Sequence, residues 1–243
     1  MKFDAGSGFL AVLLVLPCMT AAATFNLGDL SNQVDNVLRF EKGKERDDKS
    51  RPQTVVSEDH LGAPPAFCNK LDCPEFKVVG HGTGYDIREY KASRWVSTTS
   101  IGIDYETSQH DDFMRLFNYI SGKNEKKQKI AMTAPVINRI VPGQGPACAN
   151  NFTMSFFIAP KEGQPPSPSD DKVFLSRLPV FRAYVRSFTG FANKDKFLSE
   201  ALELTDTLRN GSISYVEEYF YTAGYDSPFK LFNRHNEIWF IAK

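Results

Sequence analysis

The chain has 243 residues, with 29 Lys+Arg balanced by 29 Asp+Glu, and is 42% hydrophobic and 24% charged. That length holds one ample domain or two small ones; zero net charge gives no electrostatic reason for a nucleic-acid partner, and the composition excludes disordered, fibrous and multi-span membrane chains. The 20 phenylalanines, which help raise the aromatic share to 13%, ask for a thick core or an apolar pocket.

Lys2, the apolar run from Phe9 to Leu16, Pro17 and the small residues Ala21-Ala22-Ala23 follow the order of a secretory signal over residues 1–23. The run is far short of the ~20 residues that span a bilayer, so cleavage near Ala22 or Ala23 is expected, and with it a secreted, extracellular protein without a membrane span. Residues 24–66 form a leader that contains the mixed charge run Glu41 to Lys49 and closes at Pro64-Pro65. It reads as a polar, disordered segment; the near-helical spacing of Leu27, Leu30, Val34, Val37 and Leu38 offers a short docking helix as the alternative. Beyond the signal remain Cys68, Cys73 and Cys148. An odd count implies one disulfide and one free thiol, or an intermolecular bridge, with the pairing open. Two sequons, Asn151-Phe152-Thr153 and Asn210-Gly211-Ser212, mark glycosylation positions; Asn210 sits in a helix-ending turn and is the more accessible.

From Cys68 onward the pattern is dense. Pro74 to Val79 reads as a strand, Gly80 to Gly84 as a turn, Tyr85 to Tyr90 as an alternating strand and Trp95 to Thr99 as its hairpin partner. Phe113, Leu116, Phe117 and Ile120 form a helical stripe ended by Ser121-Gly122. Lys129 to Val136 continues as a strand that Pro135 pushes to an edge or a bulge. Phe152 to Ile158 is a strand, and Pro165 to Pro168 a surface loop. The order then repeats: a strand from Phe181 to Phe188, a helical stripe of Phe197, Ala201, Leu204 and Leu208 stopped at Asn210-Gly211, then strands at Tyr215 to Tyr221 and Ile238 to Ile241. The expected fold is α+β and internally duplicated, with two helices on an antiparallel sheet or open barrel, in one domain over 67–243.

No catalytic constellation emerges. His60, His81, His110 and His235 stand at no nucleophile-elbow or zinc-helix spacing, and Gly80-His81-Gly82-Thr83-Gly84 does not open a helix as a phosphate loop must. The protein is therefore not expected to be an enzyme.

The segment Lys129-Ile130-Ala131-Met132-Thr133-Ala134-Pro135-Val136 resembles the signature of the SOUL haem-binding family. Gly84 to Tyr90, Trp95 to Thr98, Gly122 to Lys126, Tyr221 to Pro228 and Asn236 to Trp239 resemble the same family in the same order. The resemblance implies βαββ-type repeats forming a distorted antiparallel β-barrel with two helices packed on it. It also implies haem or a related tetrapyrrole as non-covalent ligand. Some members coordinate iron through a His in the strand that here reads Tyr85 to Tyr90; that position is Glu89, and a carboxylate replaces imidazole poorly on haem iron. Others hold the macrocycle in a shallow apolar cleft between the first helix and a loop near the C terminus. On that pattern the helix contributes His110, Phe113 and Phe117 and the loop Phe229 and Lys230, with His110 and Lys230 meeting propionates, or His110 the metal. Asn118 stands where a basic residue is expected. Beside this, Phe113 and Phe117 lie on a helical stripe and also read as ordinary core. The expected function is a secreted, non-catalytic tetrapyrrole-binding protein. The alternative is an interaction scaffold of the same fold, since relatives are linked to a BH3-like segment that falls at Leu198 to Gly211.

Overall fold

The computed structural model describes residues 64–102, 105–142 and 150–243. The signal-like segment 1–23, nearly all of the leader and Cys148 lie outside the described residues.

Strands β1 (Phe76–Gly82), β2 (Tyr85–Tyr90) and β3 (Ser93–Gly102) precede helix α1 (Tyr105–Ile120); β4 (Val136–Val141), β5 (Asn150–Ile158), β6 (Val173–Leu178) and β7 (Phe181–Thr189) lead to helix α2 (Lys194–Asn210), and β8 (Phe220–Gly224) and β9 (His235–Ile241) close the chain. All nine strands join one sheet in the order β1-β2-β7-β9-β8-β4-β5-β3-β6, with every pairing antiparallel. The duplication is visible in that order. In β3-α1-β4-β5 and again in β7-α2-β8-β9, the strand before the helix pairs with the last strand of its unit, and the middle strands β4 and β8 pair with each other at the centre.

Strand alternation sorts the aromatics onto two faces. Phe76, Tyr90, Trp95, Ile137, Phe157, Val185, Tyr221 and Trp239 form one cluster although their strands run from one end of the sheet to the other, so the sheet curls into a half-barrel with these residues inside. The outer face carries the helices. Leu116, Tyr119 and Ile120 of α1 pack on Met154, Phe156 and Ile158, and Phe197, Ala201, Leu204 and Leu208 of α2 pack on Phe188, Ile238 and Phe240. The α2 stripe is wholly buried, whereas Phe117 of the α1 stripe is 42% exposed.

Local chemistry sets the helix ends. The Asn193 side chain accepts from Lys196 N at 2.9 Å and caps α2; Asn193→Ala is expected to cost about 1 kcal/mol in urea unfolding, and no loss would remove the cap's role. After α1, Gly122 adopts φ +106 and donates its N–H to Tyr119 O, a conformation that a side chain would strain. At α2 the left-handed residue is Ser212 (φ 53), while Gly211 stays right-handed.

Four local expectations are corrected. First, β1 runs through Gly80 to Gly82 with a register shift between Val78 and Gly80, leaving only Thr83-Gly84 as the turn. Second, β3 is not the hairpin partner of β2: it pairs with β5 and β6, while β2 pairs with β1 and β7. The intervening Lys91-Ala92 lacks the Gly or Asn that a two-residue hairpin needs. Third, residues 129–135 form no strand; Thr133 Oγ1 donates to Phe157 O at 2.6 Å, the Ala134–Pro135 bond is cis, and pairing starts at Val136 once the proline, which has no N–H, is passed. Fourth, in Tyr215 to Tyr221 the ladder begins only at Phe220. Before it stands only an isolated antiparallel bridge of Tyr215 with Ala242; Tyr215 lies in the α2 core, and Tyr219 lies under the Arg139 guanidinium, 3.9 Å from its ring centre. In the expected surface loop, Pro165 and Pro166 are buried, and Tyr119 Oη donates to Pro166 O at 2.7 Å. Burial pushes the Tyr119 hydroxyl up to about 12.

Candidate functional site

The roll of α1 about its axis is set on one flank. Ser100 Oγ donates to Asp112 at 2.6 Å, and Arg115 donates to Thr98 Oγ1 at 3.1 Å and to Asp112 at 2.8 Å. These bonds tie that flank to β3, so His110, Phe113 and Phe117, at i, i+3 and i+7, turn the other way, toward β4. Phe113 and Phe117 stack with centroids 6.0 Å apart and rings 12° from parallel, and Phe113 lies 5.2 Å from Phe156. His110 is exposed.

Register brings this stack to the end of the sheet from which the β8–β9 loop springs. Phe156 pairs with Val136, and Val136 pairs with Gly224, the last residue of β8. Two strand steps, about 10 Å, thus separate the strand beneath Phe113 from the point where the chain leaves toward Phe229 and Lys230. The floor between the helices is polar in one place. Asn138 lies between Val136 and Ile140 on the helix-covered face, and its buried Oδ1 has no protein partner. The buried Nε2 of Gln109, one turn before Phe113, has none either.

The loop is anchored at its base and apolar at its tip. Asp226 accepts from Lys230 Nζ at 2.5 Å, Asn69 Nδ2 at 2.7 Å and His235 N at 2.5 Å. Burial alone would raise the Asp226 carboxyl, yet these donors hold it below the usual range. Arg234 donates to Ser227 O at 2.7 Å and Lys230 O at 2.8 Å. Above that base Phe229, Leu231 and Phe232 are 89%, 65% and 79% exposed.

Residues that the sequence did not single out build a second polar centre, inside the half-barrel. Glu237 of β9 is fully buried and accepts from Arg88 Nη1 at 2.8 Å, Tyr225 Oη at 2.7 Å and Trp239 Nε1 at 2.7 Å, with His235 Nε2 at 2.7 Å and Ser187 Oγ at 3.4 Å. The Arg88 guanidinium lies 4.5 Å from the Phe76 ring centre. Desolvation opposes the Glu237 charge, but Arg88 and the other donors hold the carboxyl well below its ordinary range; burial pushes the Tyr90 and Tyr225 hydroxyls up. With both oxygens saturated, the carboxylate orients its neighbours and has no lone pair left for a substrate. A charge directly before the apolar run Ile238-Trp239-Phe240 is the available signal.

Glu89 is placed apart from the Phe113–Phe117 stack: it accepts from Arg182 Nε of β7 at 2.9 Å, on the α2 side of the sheet. The segment 198–211 belongs to α2, and burial of Ala201, Leu204 and Leu208 in the core leaves its apolar face no room for a partner. Cys68 and Cys73 form the disulfide. Asn210 is exposed at the end of α2, and Asn151 is half-buried in β5 between Ile101 and Val141. Among the described residues no three His, Cys, Asp or Glu side chains converge as for a metal ion, and no helix is long and apolar enough to cross a membrane.

The described residues define an internally duplicated α+β half-barrel with two helices on its outer face. The family model described as SOUL heme-binding protein matches residues 71–241, and the chain belongs to that family. It is 42% identical to Heme-binding protein 2 of Homo sapiens over 161 residues, 65% of this chain and 78% of that one. Identity to Heme-binding protein 1 of Xenopus laevis is 30%, over 66% of this chain and 84% of that one. Among solved structures, the EcmrR–DNA complex matches with a TM-score of 0.51 at 11% identity, covering 65% of this chain and 57% of that one, a likeness of fold alone.

Proposed function

We propose that the protein is a secreted, non-catalytic binder of haem or a related tetrapyrrole. The ligand lies in the cleft between α1 and the β8–β9 loop. The observation that carries this reading is the convergence of the Phe113–Phe117 stack and the Phe229–Lys230 loop at one end of the sheet. Flat aromatic faces suit a macrocycle. Lys230 reaches a propionate as a charged donor, and the unpartnered Asn138 Oδ1 supplies an acceptor on the floor. When bound, haem supplies its own iron and absorption; the chain's part is to cover one face, orient the propionates and exclude water. The signal-like N terminus and the Cys68–Cys73 disulfide favour the secreted setting. N-terminal sequencing of protein recovered from medium is expected to begin near Thr24; retention of residues 1–23 would overturn secretion by this signal.

Titration of the purified chain with haemin tests the binding. A Soret shift saturating at micromolar haem is expected, with affinity falling about tenfold in Lys230→Ala and by a similar factor in Phe113→Ala. No shift at that concentration rejects the proposal. An unchanged spectrum in His110→Ala removes His110 as an axial ligand.

A further inference from the structure

Segment 67–73, packed on the cluster inside the half-barrel, is tied to the β8–β9 loop by side chains that lie within or beside a small disulfide ring. Phe67 stacks on His235 at 4.2 Å with rings 9° apart and meets Tyr225 edge-on at 4.9 Å. Asn69 donates to Tyr225 O at 3.2 Å and to Asp226 Oδ1 at 2.7 Å, while its own Oδ1 accepts from Lys230 Nζ at 3.3 Å. Asn69 and Lys70 are both left-handed, with φ 55 and 65, Asn69 as the residue that ends the turn Ala66–Cys68. The Cys68–Cys73 bond closes a ring around them, and Asn69 N donates to Ala66 O at 3.1 Å. Within the ring, next to Cys73, Asp72 O accepts from Ala134 N at 3.0 Å and Asp72 pairs with Lys161 at 2.6 Å. The far end of the segment is therefore held independently of the disulfide.

We propose that the Cys68–Cys73 ring is a thiol-sensitive clamp that positions Lys230 and the β8–β9 loop through Asn69 and Phe67. Ligand affinity then depends on the redox state of a bond that touches no ligand. Cys73 is the more exposed of the pair, and Cys68 is buried. A thiolate of a small-molecule or protein thiol attacks Cys73 Sγ, the S–S bond breaks, and its electron pair leaves with Cys68 Sγ, which takes a proton. A second thiolate then attacks the mixed disulfide and releases Cys73. Two thiols become one disulfide, and the protein cystine gains two electrons and two protons. The freed ring relaxes its left-handed residues, Asn69 withdraws from Asp226 and Lys230, and the loop loosens while the Asp72 anchor keeps the fold.

The proposal rests on the cleft being a tetrapyrrole site, so its test has a readout independent of binding. Hydrogen exchange by mass spectrometry is followed at the amides of Tyr225, Lys230 and His235, all hydrogen-bonded within the loop, in the oxidised chain, the dithiothreitol-reduced chain, Cys68→Ser/Cys73→Ser and Asn69→Ala. Affinity is measured with iron-free protoporphyrin, which a thiol cannot ligate. Exchange is expected to rise at least about tenfold on reduction and in the double variant, with Kd about fivefold higher or more at unchanged far-UV circular dichroism. Asn69→Ala, whose disulfide is intact, is expected to reproduce both effects. Unchanged exchange on reduction overturns the clamp, and faster exchange at unchanged protoporphyrin affinity overturns its control of the site. If the oxidised chain binds no protoporphyrin, the binding reading fails and exchange alone decides whether the clamp exists.

Discussion

Glu237→Ala is expected to lower the free energy of unfolding by about 3–5 kcal/mol, more than any surface substitution in this chain. Removing the carboxylate leaves the Arg88 guanidinium buried and without its main counter-charge, and strips the acceptor from Tyr225 and Trp239. The pair need not be more stabilising than an apolar one of the same volume; the penalty comes from breaking it on one side. The reciprocal Arg88→Met is expected to cost a similar amount, because Glu237 stays buried without its counter-charge although Tyr225 and Trp239 still donate to it. Urea unfolding followed by the fluorescence of the two buried tryptophans, Trp95 and Trp239, measures both. A loss under about 1 kcal/mol for Glu237→Ala would mean that water, not protein, satisfies this centre.

Acid is expected to unfold the protein through the same residue. The folded-state carboxyl of Glu237 lies well below its ordinary value of 4.5, because Arg88 and the neighbouring donors outweigh desolvation. A lowered folded-state pKa means that the stabilisation is fully present above pH 4.5 and is lost as pH falls toward the folded value. Asp226, held down by Lys230 and its other donors, and Glu200, held down by Lys196 and Arg186, act in the same direction. The urea midpoint should therefore be flat from about pH 7 to about pH 5 and fall steeply toward about pH 2. Glu237→Gln, which has nothing to titrate, should start lower and fall less. A wild-type midpoint at about pH 3 equal to that at about pH 6 would show that the network is not formed as described.

Much of the architecture was legible because periodicity is a local signal. The α1 stripe and its stop at Gly122, the α2 stripe ending at Asn210, and the β2 and β7 alternations match the structure. The duplication follows from their order. Pairing was less legible. Trp95 to Thr99 carries strand-forming residues but no local sign of a partner, and only the symmetric docking of β3 on β5 says which strand it joins. Lys129 to Val136 carries strand-like residues, but the tertiary bond from Thr133 to Phe157 and the proline decide that pairing waits until Val136.

The candidate site divides the same way. Phe113, Phe117, Phe229 and Lys230 could be named from residue type and family likeness. That they share one end of the sheet comes from the Phe156–Val136–Gly224 register and from the Asp112 and Arg115 bonds that set the roll of α1. Arg88 and Glu237 give no such signal, since a charge in a strand looks like a polar face until its neighbours are known, and Asn69 looks like any polar turn residue.

By itself the sequence determined the class of fold, the duplication, the absence of a recognisable catalytic spacing and the aromatic excess that needed a home, because composition and local periodicity carry those properties. Only the tertiary structure decided that Cys68 closes on Cys73, that the apolar face of 198–211 is core, and that a saturated carboxylate sits inside the half-barrel. Each of these depends on which distant residues become neighbours, and burial then assigns the same side chain a solvated, paired or packed role.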